Sequence, residues 1–415
     1  MKILGIIAEY NPFHNGHRYQ IERAKKNSKA DYVIAIISGN YVQRGAPAIF
    51  DKSIRTKMAL FCGADAVFEI PCFFCASSAP DFAAYGVSLL GILDVDYISF
   101  GAENNDFNLL YTLAKLLNEE KLDRDIRENI NTGENYAKAR HMALVELIKK
   151  NKEYDIKTVE KVLSSPNNIL AIEYLKNIIS KKLRMEPVII ERSGSGYHEK
   201  EMDSIGFSSA TAIRREILGN KGTDSSLEGI PTELYNYYKI SKPMFEDDFL
   251  FAVQRSIIDK IYNGEDLSRY CDITKELANT IKNNIYELEN KSFSEFILSL
   301  KTKNYTYTRI SRGIFHILLN HLKSELEFIK TDKDMNAYIS LLGFRKDSDK
   351  LLSEIKKRAN LPIISKVSNY KSLLNEKSIK IFENNIYSDF LYNSIYFEKY
   401  GQKLINPYRR KVVTV

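Results

Sequence analysis

The 415-residue chain reads as an α/β protein, a parallel sheet with crossover helices, followed by a mostly α-helical domain. Three observations predict this. Over the first hundred residues, short apolar runs rich in Ile, Val and Ala alternate with helical patterns, the order of strand–helix–strand units with right-handed crossovers. Gly, Pro, Asn, Asp or Ser punctuates these runs, as residues that stop strands and cap helices do. Beyond residue 231 the chain turns to Leu, Ile, Lys, Glu, Asn and Tyr at helical spacing, with weak strand signals.

Taken in order, Lys2–Glu9 is a buried strand and His17–Ser28 a helix. Tyr32–Ser38 (YVIAIIS) is a second strand, and Asp51–Cys62 a helix opened by an Asp cap. Ala66–Ile70 is a third strand, Pro80–Leu93 a helix and Tyr97–Phe100 (YISF) a fourth strand. Asp106–Lys182 is mainly helical, and Pro187–Glu191 adds a strand. The Gly-, Ser-, Asp- and Pro-bearing stretch Gly219–Pro231 is the candidate linker, separating an expected domain at 1–225 from a mostly helical one at 232–415. Phosphate ligands of parallel sheets bind beyond the carboxyl ends of the strands. The segments to search are therefore Tyr10–His17, Gly39–Pro47 and Gly101–Asn104.

Composition removes several classes. Hydrophobic residues at 44% and charged residues at 27% suit a soluble globular chain with a large core. No apolar run reaches the roughly 18 residues of a membrane helix. The apolar start before Glu9 is too short for a secretory signal, so a cytoplasmic location is expected. Four cysteines do not make a disulfide scaffold. A net charge of +7 is compatible with a polyanionic partner without requiring one.

The strongest motif is Asn11-Pro12-Phe13-His14-Asn15-Gly16-His17, between the first strand and the first helix. Pro12 ends the strand, Asn15 is placed to cap the helix, and Gly16 lets a ligand approach the backbone. A helix start offers a positive dipole end to phosphate. His14 and His17, three apart, can donate to the same phosphate oxygens. This H-x-G-H pattern resembles that of the nucleotidylyltransferase superfamily, which implies a Rossmann-like fold. A second half follows in Ser208-Ser209-Ala210-Thr211-Ala212-Ile213-Arg214, similar to the I-S-S-T-x-I-R motif of small-molecule adenylyltransferases with Ala210 in place of one serine. Ser209 and Thr211 at this helix start could hold the outer phosphates, and Arg214 could neutralise departing pyrophosphate. No KMSKS-like loop is present, which argues against a class I synthetase.

Weaker features have bland alternatives of equal weight. Gly101 after the fourth strand could let adenosine lie on the backbone, or be a turn glycine. One Asn of Ser165-Pro166-Asn167-Asn168 could touch ribose or base, or only cap a helix. Arg192 could reach phosphate or form a surface ion pair. Ser38–Gly45 could shape a co-substrate pocket or be a polar loop. Cys72-Phe73-Phe74-Cys75, lacking a second pair or a spaced His, reads as buried thiols. His141, His198, His316 and His321 lack partner motifs and read as structural or surface residues. Basic and aromatic residues interleave over 301–312, with Arg309 and Arg312, and again at Tyr408-Arg409-Arg410-Lys411. Such cations can hold RNA phosphates, although a solvated helix face fits equally well.

Together, GIIAEYNPFHNGHRYQI, SGNYVQRGAPAIFDKSIRTKMAL, SPNNILAIEYLK, FSSATAIR and YTRISRGIFHILL resemble the bacterial tRNA(Met) cytidine acetate ligase family over most of the chain. The resemblance implies formation of N4-acetylcytidine at the wobble position of elongator tRNA(Met) from ATP and acetate, through acetyl-adenylate, with a helical C-terminal domain that helps bind tRNA. It also implies an ATP site at Ile7, Ala8, Glu9, Tyr10, Asn11, Pro12, Phe13, His14, Asn15, Gly16, His17, Arg18, Tyr19 and Gln20, with Gly101, Asn167 and Arg192. A Mg2+ ion travelling with the phosphates is expected on general grounds, with no protein ligand assigned. Two rival readings share the motifs: an adenylyltransferase making a dinucleotide or phosphopantetheine-type cofactor, and a non-catalytic RNA-binding protein.

Overall fold

In the computed structural model, β1 (Ile3–Ala8) sits in the middle of an eight-stranded sheet. The structure describes residues 1–131, 136–151, 154–192, 208–219, 229–330 and 337–415. The segment after Arg192, with His198, Gly206 and Phe207, and most of the expected linker lie outside them.

The remaining strands are β2 (Tyr32–Ser38), β3 (Tyr41–Val42), β4 (Ala46–Pro47), β5 (Ala66–Ile70), β6 (Tyr97–Ala102) and β7 (Glu186–Glu191), then β8 (Ile339–Phe344), β9 (Ile363–Ile364) and β10 (Val413–Thr414). The sheet runs β10-β8-β5-β2-β1-β6-β7, with β9 beside β8. The five strands from β5 to β7 are parallel. The near-continuous apolar runs follow from burial on both faces. Along β1 and β2, Ile3, Ile7, Ile34 and Ile36 pack into one core, while Leu4, Ile6, Val33, Ala35 and Ile37 pack into the other. Chain growth reverses direction between β1 and β6, which opens a crevice at their carboxyl ends.

The helices that bear on this crevice are α1 (Asn15–Ser28), α2 (Lys52–Phe61), α3 (Cys72–Cys75), α4 (Ala79–Ile92), α5 (Pro166–Ser180), α6 (Ala210–Gly219), α7 (Tyr307–Leu318) and α8 (Glu376–Tyr400). Asp51 caps α2 as expected, accepting from Ser53 N at 2.8 Å. The C-terminal region is mainly helical, and it also contributes strands to the sheet. β8 pairs antiparallel with β5, and β9 and β10 pair with β8. A six-residue apolar run such as ISLLGF does not distinguish strand from buried helix by periodicity, and two-residue strands carry no pattern at all.

Helix α8 closes over the carboxyl ends of β2 and β5. Asn40 Nδ2 donates to Asp389 Oδ1 at 2.9 Å, Tyr41 OH to Ser388 O at 3.2 Å and Tyr392 OH to Ala48 O at 2.9 Å. Beneath it Lys52 Nζ bonds Glu69 and Asp389, each at 2.5 Å, in a fully buried ionic cluster. The Ser38–Gly45 segment enters the β3–β4 hairpin: Asn40, Tyr41 and Val42 are buried, and Ser311 of α7 donates to Gly45 O. Gly45 is at φ 72°, and a Cβ there would lie 2.3 Å from Arg312 N, so glycine is required at this contact. Cys72 and Cys75 are buried free thiols, and burial pushes the Cys72 thiol well above its ordinary range.

Candidate active site

The turn after β1 is built by its own side chains. Tyr10 adopts φ 48° and the Asn11–Pro12 peptide is cis. Tyr10 and Phe13 are buried in the core, Asn11 Oδ1 accepts from Ile49 N at 2.7 Å, and the Tyr238 hydroxyl donates to Phe13 O. Helix α1 is capped by His14, not by Asn15 as the sequence suggests, because an imidazole nitrogen takes the place of the usual capping oxygen. His14 Nδ1 accepts from Gly16 N at 3.1 Å, and His14 N donates to His17 Nδ1 at 3.3 Å. This reciprocal cap stacks the two rings with centroids 3.7 Å apart and planes 25° from parallel.

The cap also decides the chemistry of both rings. Each Nδ1 is an acceptor, so a neutral ring must carry its proton on Nε2. Burial, helped by the nearby Arg192 and Arg214 charges, lowers the His14 pKa to about 3. Desolvation, His14 and Arg192 hold His17 well below its ordinary value. At neutral pH the pair presents two stacked, uncharged N–H donors.

Two guanidinium groups flank them. Ser209 Oγ caps α6 by accepting from Ala212 N at 3.1 Å. One turn on, Arg214 Nη1 donates to Asn11 O at 2.5 Å and Nη2 to Thr211 Oγ1 at 3.1 Å, which fastens α6 to the histidine turn. Thr211 thus braces Arg214. Arg192 follows β7 and lies over Gly101 of β6; a Cβ at Gly101 would fall 2.9 Å from Arg192 Cδ. Burial lowers the pKa of both arginines, and among the described residues neither has a carboxylate within ion-pair distance. A desolvated cation without a counter-ion is costly, and an anionic ligand offsets that cost.

The rest of the expected nucleotide segment divides into scaffold and rim. Ile7 and Pro12 are buried, Ala8 is half-buried, and Glu9 Oε1 accepts from Gln43 N at 2.8 Å. Asn15, Gly16 and Tyr19 are half-buried on the first turns of α1. Gln20 Nε2 reaches Ser99 O at 3.3 Å. Arg18 is engaged by Glu22 at 2.8 Å and Glu233 at 2.7 Å, so it is not a free phosphate ligand in this arrangement. Asn167 opens α5 and binds Glu103 Oε1 through Nδ2 at 2.6 Å. The role of Glu103 was not legible in the sequence: its link to Asn168 spans 65 residues and carries no local pattern.

The candidate RNA-binding arginines are not equivalent. Arg312 Nε donates to Asp272 Oδ2 at 2.7 Å, Arg309 Nε lies 3.9 Å from the same carboxylate, and Arg309 also stacks over the Tyr305 ring. Arg410 points into the buried cluster, 4.0 Å from Glu69 Oε2, with its side chain 12% exposed. Arg409 is exposed. His316 and His321 are buried and bonded to each other at 3.0 Å, a structural pair.

Comparison with known proteins identifies the family. The family model described as HIGH nucleotidyl transferase matches residues 1–404. A tRNA(Met) cytidine acetate ligase from Thermoanaerobacter sp. (strain X514) is 39% identical over 403 residues, covering 95% of this chain and 96% of that protein. The ligase of the same name from Thermosipho melanesiensis is 35% identical, covering 100% and 99%. The crystal structure of Thermotoga maritima TmcAL bound with alpha-thio ATP superposes with a TM-score of 0.88 at 26% identity, covering 100% of both chains. With a histidine-capped turn at the sheet's switch point and likeness along its whole length, the chain belongs to the tRNA(Met) cytidine acetate ligase family of HIGH nucleotidyl transferases.

Proposed function

We propose that this protein activates acetate with ATP and transfers the acetyl group to N4 of the wobble cytidine of elongator tRNA(Met). A carboxylate oxygen of acetate attacks the α-phosphorus, the bond to the bridging oxygen breaks, and pyrophosphate leaves. His14 and His17 donate from Nε2 to the non-bridging oxygens as charge builds on the pentavalent centre. Arg214, braced by Thr211 and close to the Ser209-capped helix start, neutralises the leaving group. Gly101 and Asn167 hold the nucleoside of ATP, and Arg192 meets its phosphates. The cytidine amine then attacks the acetyl carbonyl, the mixed anhydride bond breaks and AMP departs.

The observation that carries this reading is the stacked pair of neutral Nε2–H donors flanked by two half-buried arginines, neither with a carboxylate within ion-pair distance among the described residues. Those residues contain no group of three or more His, Cys, Asp or Glu side chains placed to hold a metal. Mg2+ would be held by phosphate oxygens and water rather than by these side chains. The first 225 residues bind ATP and residues 232–415 present the tRNA surface, where Arg409 offers a phosphate contact and Arg309 and Arg312 line the α7 face. No described helix is long and apolar enough to cross a membrane, in keeping with a cytoplasmic role.

The test is mass spectrometry of nucleosides from tRNA incubated with the protein, ATP and isotopically labelled acetate. Labelled N4-acetylcytidine is the expected product. Pyrophosphate exchange that ignores acetate but requires a mononucleotide or phosphopantetheine would support the cofactor-forming alternative instead.

A further inference from the structure

Strand β6 and helix α5 are latched together by a residue to which the mechanism above gives no part. Glu103, just beyond Gly101, accepts from three donors at the start of α5: Asn167 N at 3.3 Å and Asn167 Nδ2 at 2.6 Å on Oε1, and Asn168 N at 2.9 Å on Oε2. In return, Asn168 Oδ1, fully buried, accepts from Glu103 N at 2.9 Å and Asn104 N at 3.1 Å. The first turn of α5 is therefore already occupied by an internal carboxylate and is not free to bind phosphate. Glu103 is also the carboxylate acting on Arg192, whose side chain covers Gly101.

The latch settles which way the Asn167 amide points. A carboxylate accepts only, so the NH2 end must face Glu103, and the reversed amide would set two oxygens against each other. Asn167 Oδ1, half-buried at the crevice rim, is left as a bare acceptor with no partner among the described residues. We propose that Glu103 is a specificity-determining positioning residue, which makes Asn167 read a hydrogen-bond donor on the nucleoside of ATP. Adenosine has two kinds of donor, the ribose hydroxyls and the 6-amino group, and the experiment separates them. The inference rests on the ATP-site reading above.

The experiment measures binding of ATP, 2′-deoxy-ATP, 3′-deoxy-ATP and purine riboside triphosphate by calorimetry, to wild type and to Glu103→Gln, Asn167→Ala and the double variant. A half-buried acceptor left unpaired costs enough that the analogue missing the read donor binds wild type about tenfold more weakly or worse. A deoxy-analogue penalty identifies the ribose; a purine riboside penalty identifies the base. In Glu103→Gln the one remaining oxygen is claimed by Asn168 N, the shorter of the two backbone bonds, so the amide NH2 faces Asn167 and turns Oδ1 inward, and the penalty falls to about threefold or less in E103Q and in N167A. The double variant matches N167A.

Three results overturn the proposal: no penalty for any analogue with wild type, a penalty that survives in E103Q, or equal weakening of all four nucleotides in E103Q with a further loss on the N167A background. The last is the mark of simple bracing. Wild type that binds no ATP overturns the nucleotide reading itself. Melting temperatures check folding, and Glu103→Asp, too short to reach α5, gives the same comparison if E103Q does not fold.

Discussion

His14 performs two jobs with two different atoms, and substitution can separate them. Nδ1 caps α1, while Nε2–H is the donor assigned to the α-phosphate. His14→Ala removes both. Loss of a side-chain cap costs about 1 kcal/mol, which moves the melting temperature of a chain this large by at most about 2–4 °C. Loss of one donor to a developing oxyanion costs about 2.7–4 kcal/mol, or about 10²–10³ in rate. His14→Asn keeps a good capping oxygen but ends short of where Nε2 sits, so it restores the melting temperature without restoring the rate. The assays are acetate-dependent ATP–pyrophosphate exchange and thermal unfolding, with tRNA affinity as a control expected to hold in both variants. His14→Asn within about threefold of wild type in exchange would refute the donor assignment, because the cap alone would then account for the residue.

Other outcomes follow from the same geometry. The depressed His14 pKa of about 3 means the unfolded chain takes up this proton first as pH falls, so the contribution of His14 to stability is complete above about pH 6.5 and is lost below it by about 1.4 kcal/mol per pH unit towards pH 3. Nitrogen-15 spectra of labelled histidine should show Nε2–H tautomers for His14 and His17 that do not titrate between pH 8 and 5; titration between 6 and 7 would contradict it. Arg214→Lys should not rescue the loss of exchange in Arg214→Ala, about 10²-fold, because one ammonium cannot bond Asn11 O, Thr211 and a phosphate together. Arg409→Ala should weaken tRNA binding and lower its log–log salt slope by about 1 with no change in melting temperature. Arg410→Ala should instead destabilise the fold, by about 3 kcal/mol in a melting assay, because it strips a partner from buried Glu69.

Much of the amino-terminal half was legible because its signals are local. Strands buried on both faces must be apolar throughout, and β2 and β5 span the predicted Tyr32–Ser38 and Ala66–Ile70 segments. The histidine turn was legible for the same reason, since its residues are adjacent in the chain. What the sequence hid is what tertiary contact alone creates. His14 replaces Asn15 as cap because two imidazoles lock each other. The polar-looking Ser38–Gly45 segment is buried except at Gln43 and Arg44 because α7 and α8 supply partners from beyond residue 300. Arg410 sits in a basic run on paper and in a buried ionic cluster in space. Strands β8 and β10 join the sheet through pairings with β5 and with each other that no window of sequence contains.

The most direct measurement is a crystal structure of this protein with a non-hydrolysable ATP analogue. The account predicts α-phosphate oxygens within hydrogen-bond distance of Nε2 of both His14 and His17, with the Arg214 guanidinium on the outer phosphates. A nucleotide bound elsewhere, or in the crevice with both imidazoles turned away from phosphorus, would contradict it.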